Sequence, residues 1–212
     1  MIKNIIFDMV GVVLRFDTEG YCRDHGFTEE DRRIIKREVF GSLEWARQDR
    51  GTITDDDAIA AICARTPEHL HKAVRDFILR ENRAILSTEG METLLAQLKE
   101  LGYRLFLLSN TCTRQHVFWP SVPESRYFDD TLISADVGLV KPQPEIFRLA
   151  CEQFRIDPVE TAYIDDSPMN AEAAYFIGMH AFVFHDDMTE LRVWLEGLGC
   201  PIMPHIPAVC CS

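Results

Sequence analysis

Four short apolar runs along the 212-residue chain each end in a polar group: Asp8 after Ile5-Ile6-Phe7, Ser109-Asn110 after Leu107-Leu108, Lys141 within Val140-Lys141-Pro142, and Asp165-Asp166 after Tyr163-Ile164. Runs of this length, rich in β-branched and aromatic residues and bounded by turn residues, read as buried strands. Ile2 to Phe7 predicts a first strand, broken at Asp8 to Gly11. Further strands are expected at Tyr103 to Leu108, Thr131 to Ser134, Thr161 to Ile164 and His180 to Phe184. Between them the apolar period lengthens to that of a helix. Glu89 to Leu101 stops at Gly102, another helix opens at Pro144, Pro168 to Ile177 stops at Gly178, and Met188 to Gly197 follows.

The stretch from Arg15 to Ser87 follows a different pattern. Thr28 to Phe40, Leu43 to Arg50, Thr54 to Arg65 and Thr66 to Ala84 all read as helices, and no strand is expected among them. Thr28-x-x-Asp31 and Thr54-x-x-Asp57 resemble capping boxes, and Pro67 after Thr66 suits a first helical position. The expected class is therefore α/β: a parallel-sheet core over 1–15 and 88–199, helices on both faces, and a helical insert over 16–87 directly after the first strand. Placed beside Asp8, that insert reads as a lid. Residues 200–212 carry too many prolines for helix or central strand and read as an extended tail. In an open α/β sheet, ligands bind beyond the carboxyl ends of the strands, so neighbouring strands would gather all four polar groups at one site.

Composition narrows the function. A chain that is 47% hydrophobic can bury a sizeable core. Its net charge of −12, with no dense Lys/Arg block, argues against nucleic-acid binding. The longest apolar stretch, Ala58 to Ala64, is far short of the roughly 18 residues a membrane span needs. Lys3-Asn4 leads into a short strand-like run rather than an export signal. Seven cysteines without a C-x-x-C pair suggest reduced thiols in a cytoplasm rather than a disulfide or zinc framework. His69 and His71, two apart on a helix, point to different faces and read as surface residues; Cys112 reads as a small core or rim residue.

The polar groups themselves suit phosphoryl transfer. A carboxylate at Asp8 can attack phosphorus to form an acyl phosphate. The turn Asp8-Met9-Val10-Gly11-Val12 could turn backbone amides towards an anion. Asp165-Asp166, brought near Asp8, would repel it unless a hard divalent cation held them together, and Mg²⁺ takes one or two carboxylates plus a phosphate oxygen. Ser109 and Asn110 can offer a hydroxyl and a main-chain amide to phosphate, while Lys141 supplies a cation that steadies the charge. Trp45, Arg47 and Arg50 of the insert could reach the leaving group.

Taken together, Phe7-Asp8-Met9-Val10-Gly11-Val12, Leu107-Leu108-Ser109-Asn110-Thr111, Gly138-Leu139-Val140-Lys141-Pro142 and Tyr163-Ile164-Asp165-Asp166-Ser167 resemble the four motifs of the haloacid dehalogenase-like hydrolase superfamily. Phe118-Trp119-Pro120, Lys141-Pro142-x-x-x-Ile146-Phe147 and the stretch Gly41 to Thr54 with Arg50-Gly51 are similar to its α-D-glucose-1-phosphate phosphatase-like branch. The resemblance implies a Rossmann-like core with a four-helix cap, Asp8 as nucleophile, and Mg²⁺ held by Asp8, the Val10 carbonyl and Asp166, with Asp165 in support. Ser109, Asn110 and Lys141 would hold the phosphoryl group.

One position departs from the superfamily pattern. Phosphatases of the superfamily commonly carry an acid/base Asp two residues after the nucleophile, and here that residue is Val10, which cannot transfer a proton. The expected activity is Mg²⁺-dependent hydrolysis of a small phosphomonoester such as a sugar phosphate. A haloacid dehalogenase and a non-catalytic binding or regulatory protein are the alternatives. Asp165-Asp166 speaks against the first, and Val10 motivates the second. Asp17, in the linker to the insert, is a weaker candidate for the missing acid.

Overall fold

The computed structural model describes residues 1–79 and 85–202. Its main sheet holds five parallel strands: β1 (Asn4–Phe7), β4 (Arg104–Ser109), β5 (Asp130–Ile133), β6 (Thr161–Asp165) and β7 (His180–Val183). Their order is β5-β4-β1-β6-β7, which puts β1 at the centre and the reversal of strand order beside it. Two short strands, β2 (Leu14–Phe16) and β3 (Ile85–Ser87), form a separate antiparallel pair. Between β2 and β3 lie α1 (Thr18–Asp24), α2 (Glu29–Ile35, continued by a π-helical turn over Lys36–Phe40), α3 (Leu43–Asp49), α4 (Asp55–Cys63) and α5 (His71–Leu79). The core helices are α6 (Met91–Glu100), α7 (Gln115–Phe118), α8 (Ser134–Val137), α9 (Pro144–Phe154), α10 (Pro168–Ile177) and α11 (Met188–Gly197).

Strand alternation builds the layers. Ile5, Phe7, Leu105, Leu107 and Ile164 face one side, where they pack with Leu94 and Leu98 of α6 and Leu191 and Leu195 of α11. Ile6, Phe106, Leu108 and Tyr163 face the other, against Ile146, Phe147 and Phe154 of α9 and Ala174 of α10. Strands buried on both faces carry continuous apolar runs, which is why these segments stood out in the sequence. The helices between β2 and β3 pack around their own cluster, including Tyr21, Ile35, Val39, Ile62, Val74 and Phe77.

Several local expectations change. Two unforeseen strands flank the helices: β2 and β3 are three residues long, too short to show a period, and pair with each other. Helix α1 was not expected. Asp17 caps it, its Oδ1 accepting the Gly20 amide at 2.8 Å. Thr66 does not cap a helix over Thr66 to Ala84: its hydroxyl donates back to the Ile62 carbonyl at 3.0 Å, Pro67 is extended, and a short 3₁₀ turn over Glu68–Leu70 precedes α5. Residues 80–84 of that expectation, and most of the tail including Cys210-Cys211, lie outside the described residues. The Thr28 capping box is present, and Thr54 caps α4 through the Asp57 amide. Among the described residues no helix is long and apolar enough to cross a membrane.

Candidate active site

Register brings the polar groups together. Phe7 pairs with Leu107 on one side and Ile164 on the other, so the residues following them, Asp8, Leu108 and Asp165, emerge at one level. The ladder continues one step further, with the Asp8 amide donating to the Ile164 carbonyl at 2.9 Å. This level is the carboxyl end of the central strand at the point where strand order reverses, the place where open α/β sheets bind ligands.

Lys141 sits at the centre of the cluster. Its side chain is 1% exposed, and its Nζ lies 2.9 Å from Asp8 Oδ1 and 2.7 Å from Asp165 Oδ2. It also donates to the Leu108 carbonyl at 2.9 Å, so each of its three protons has an acceptor. The ammonium thus lies between two of the carboxylates. Asn110 fixes the main chain that carries it, accepting the Lys141 amide at 2.8 Å and donating from Nδ2 to the Lys141 carbonyl at 2.9 Å. The Asn110 side chain is thus a positioning group for Lys141. Ser109 is buried at the end of β4, one residue away.

Asp165 is held from several sides. Its Oδ1 accepts the Ser167 amide at 2.8 Å, Asn170 Nδ2 donates to both oxygens at 3.0 and 3.1 Å, and the Tyr163 hydroxyl donates to Oδ2. Tyr163 and Asn170 went unnoticed as site residues in the sequence. The i−2 tyrosine on the same strand face and the i+5 asparagine in the first turn of the following helix were the available signals. Asp8 Oδ1 also accepts the Met9 amide at 2.7 Å, which orients its carboxylate.

Two amides of the turn after Asp8 are engaged within the protein: Met9 N–H on Asp8, and Gly11 N–H on the Leu14 carbonyl at 2.7 Å. Gly11 has φ +92°, and a Cβ there would lie 2.3 Å from Asp166 Oδ2, so a side chain here would push that carboxylate from its present position.

The electrostatics follow from burial and crowding. Burial pushes the Asp8 carboxyl up to about 7 against the pull of Lys141, with Asp165 adding to the rise. Burial alone would raise Asp165 too, but Lys141 and the hydrogen bonds from Tyr163 and Ser167 hold it below the usual carboxylate range. Lys141 would be lowered by burial, yet Asp8 and Asp165 keep it above its ordinary value. Partial desolvation beside the cluster and the Asp165 charge raise Asp166, although its side chain still reaches solvent. Asp8, Asp165 and Asp166 each offer an oxygen within 4.8 Å of the others. Three carboxylates against one ammonium leave two negative charges. An all-oxygen donor set of that charge fits one hard divalent cation.

Above this charged floor is an apolar wall. Val10, Phe16, Phe40, Trp45, Ile85 and Phe118 line a cavity of about 220 Å³, with Asn110 and Thr111 as its polar lining. Arg47 and Arg50 do not enter it; with Asn110 and Val140 they line a separate, more open depression of about 440 Å³. Asp17 is engaged in capping α1 rather than directed to this cavity. The helical layer rests on the core beside the site: the Ser134 hydroxyl donates to the Asp49 carbonyl, Arg114 pairs with Asp55 at 2.9 Å, and Gly51 packs so closely on Ala135 that a Cβ would lie 2.4 Å from its carbonyl oxygen. His69 lies on the surface, paired with Asp31, and Cys112 is buried.

The doubly wound parallel sheet carries its acidic cluster and buried lysine at the point where strand order reverses, the ligand-binding position of open α/β sheets. Residues 2–177 match the haloacid dehalogenase-like hydrolase family, and the chain belongs to it. It is 26% identical over 198 residues to D-ribitol-5-phosphate phosphatase of Bacteroides thetaiotaomicron, covering 86% of this chain and 91% of that one. It is 25% identical over 204 residues to a sesquiterpene phosphatase of Aspergillus oryzae, covering 93% and 97%. A family enzyme from B. thetaiotaomicron, solved in complex with magnesium and inorganic phosphate, superposes with a TM-score of 0.69 at 25% identity, covering 90% of this chain and 99% of that one.

Proposed function

We propose that this hydrolase is a Mg²⁺-dependent phosphomonoesterase that works through an aspartyl phosphate on Asp8. The observation that carries the reading is the Asp8 carboxylate itself: buried at the end of the central strand, paired with Lys141, and within one cation's reach of Asp166. Two relatives named as phosphatases support it.

Each residue then has a role. Asp8, Asp166 and the Val10 carbonyl are the proposed metal ligands, with Asp165 in support through its hold on Lys141. The cation, when bound, would neutralise charge on the phosphoryl oxygens and draw phosphorus towards Asp8. Lys141, already directed at Asp8 Oδ1, would balance the charge that develops as the nucleophile adds. The Ser109 hydroxyl and the Asn110 main-chain amide are assigned to non-bridging oxygens, which suits their place at the end of β4 next to Lys141. The helical layer is the proposed cap, its β2–β3 crossing the hinge. The acceptor is a small phosphorylated molecule, and the cysteine pattern favours a reducing cytoplasm.

Phosphate release from p-nitrophenyl phosphate with Mg²⁺ and with chelator tests the reading. We expect turnover that chelator abolishes and that Asp8→Asn lowers by about 10⁴-fold or more, the scale of nucleophile loss. Chelator-insensitive halide release from a haloacid would favour a dehalogenase instead. Retention of most activity by Asp8→Asn would overturn the nucleophile.

A further inference from the structure

The leaving group can be read from the wall of the site. Phe16, Phe40 and Trp45 form one aromatic surface, with centroid separations of 6.2 Å for Phe16 to Phe40, 6.5 Å for Phe16 to Trp45 and 5.0 Å for Phe40 to Trp45. Ile85 and Phe118 line the same half-open cavity, and Val10 reaches it from the turn beside Asp8. A cavity of about 150 Å³ lined by apolar side chains is enough to hold benzene. This one, at about 220 Å³, has room for a substituted ring. Among the described residues its lining includes no Asp, Glu or His. Among the described lining residues a polyhydroxylated leaving group would find polar side chains at Asn110 and Thr111 alone, and its remaining hydroxyls would face apolar carbon.

The same cavity lacks a proton donor where the leaving oxygen would depart. An aliphatic alkoxide is about as basic as hydroxide, far more basic than a phenolate, and needs protonation as it leaves. A phenolate, with a conjugate acid near 10, can depart unaided. Resting on the phosphatase reading, we propose that the natural substrates are aryl phosphomonoesters, whose ring occupies the cavity and whose phenolic oxygen leaves without a general acid.

The chemistry balances without a protein proton donor. An Asp8 oxygen attacks phosphorus, the bond from phosphorus to the phenolic oxygen breaks, and its electron pair leaves as phenolate. Water then attacks the acyl phosphate, the bond from phosphorus to Asp8 breaks, and that pair returns to the carboxylate. The proton lost by water reaches the phenolate through solvent, and the products are a phenol and hydrogen phosphate.

The test is a rate series on the whole protein with Mg²⁺: phenyl phosphates with ring substituents from nitro to methoxy, beside ribitol 5-phosphate, glucose 1-phosphate and a simple alkyl phosphate. We expect kcat/KM to fall steeply as the phenol becomes more basic, and every phenyl ester to exceed the polyol and sugar esters. Val10→Asp should flatten that dependence and raise the alkyl ester by about 10²-fold or more, the usual contribution of a positioned acid. Phe118→Ser should raise KM for the phenyl esters about 10-fold while leaving the slope unchanged, as expected for loss of ring contact alone. The wild-type series stands by itself if a variant does not fold. A shallow slope, or a sugar or polyol phosphate preferred over phenyl phosphate, would overturn the proposal and leave the phosphatase reading intact. No turnover of any ester would remove the reading itself.

Discussion

The floor and the wall of the site are built on opposite principles. On the floor, Lys141, Asp165 and Asp8 are buried and bound to one another, with Tyr163, Asn170, Ser167 and Asn110 fixing the geometry. On the wall, Phe16, Phe40, Trp45 and Phe118 make a surface with few hydrogen-bonding groups. A charged cluster of this kind tolerates almost no change, because removing one partner strands another charge away from water. An apolar wall can trade one side chain for another at modest cost. The contrast assigns the reaction to the core strands and the choice of substrate largely to the helical layer.

The sharpest way to break this division is Lys141→Ala. It leaves Asp8 and Asp165 facing each other unpaired, and a loss of about 3–5 kcal/mol in unfolding free energy is expected, together with loss of turnover. Truncating Phe118, which is half-buried, should leave stability within about 1–3 kcal/mol and phosphate release from p-nitrophenyl phosphate measurable. Equal damage from the two would dissolve the distinction.

Next in size is Gly11→Ala. A methyl group at a position with φ +92°, 2.3 Å from Asp166 Oδ2, must displace that carboxylate. Mg²⁺ affinity, read as the concentration that half-activates turnover, should weaken by about 10- to 100-fold, the scale seen when groups orienting metal ligands are lost. Unchanged affinity would remove Asp166 from the proposed ligand set.

The smallest effect is one of pH on the metal-free protein. Because the folded-state Asp8 carboxyl is pushed up to about 7 from an ordinary 3.8, the folded form binds more protons than the unfolded form between those values. Its contribution therefore favours folding at low pH and fades as pH rises through that window. Thermal melts without Mg²⁺ should show wild type losing stability relative to Asp8→Asn from pH 4 to 7. Added Mg²⁺ should raise the wild-type melting temperature more at pH 8 than at pH 5, since it binds the ionised carboxylate. A difference between the two proteins that stays flat across that range would contradict the burial of Asp8.

Much of the floor was legible in the sequence because buried parallel strands announce themselves as apolar runs, and the polar residue ending each run is conspicuous. Asp8, Ser109 and Asp165-Asp166 emerged this way; Lys141 did not, because the apolar run before it is no strand and the residue lies in the loop between α8 and α9. What the runs do not carry is direction in space. That Lys141 lies between Asp8 and Asp165, that Asn110 turns its side chain to the Lys141 main chain, and that Gly11 makes room for Asp166 all depend on contacts between distant segments. The wall was harder still. Phe16, Phe40, Trp45, Ile85 and Phe118 come from five separate places, and in one dimension each looks like an ordinary core residue. Only Trp45 had been singled out, and its companions Arg47 and Arg50 face a different opening. The paired strands β2 and β3 escaped notice for the same reason: three residues show no period, and their partner lies across the whole helical layer.

The central claim is that Asp8 becomes phosphorylated. Rapid acid quench of the wild-type enzyme during turnover of phenyl phosphate, followed by mass spectrometry of the peptide that contains Asp8, tests it directly. The account predicts a peptide heavier by one phosphoryl group, sensitive to hydroxylamine and absent from Asp8→Asn. Steady turnover with that peptide unmodified at every quench time, or the phosphoryl group on another residue, would contradict it.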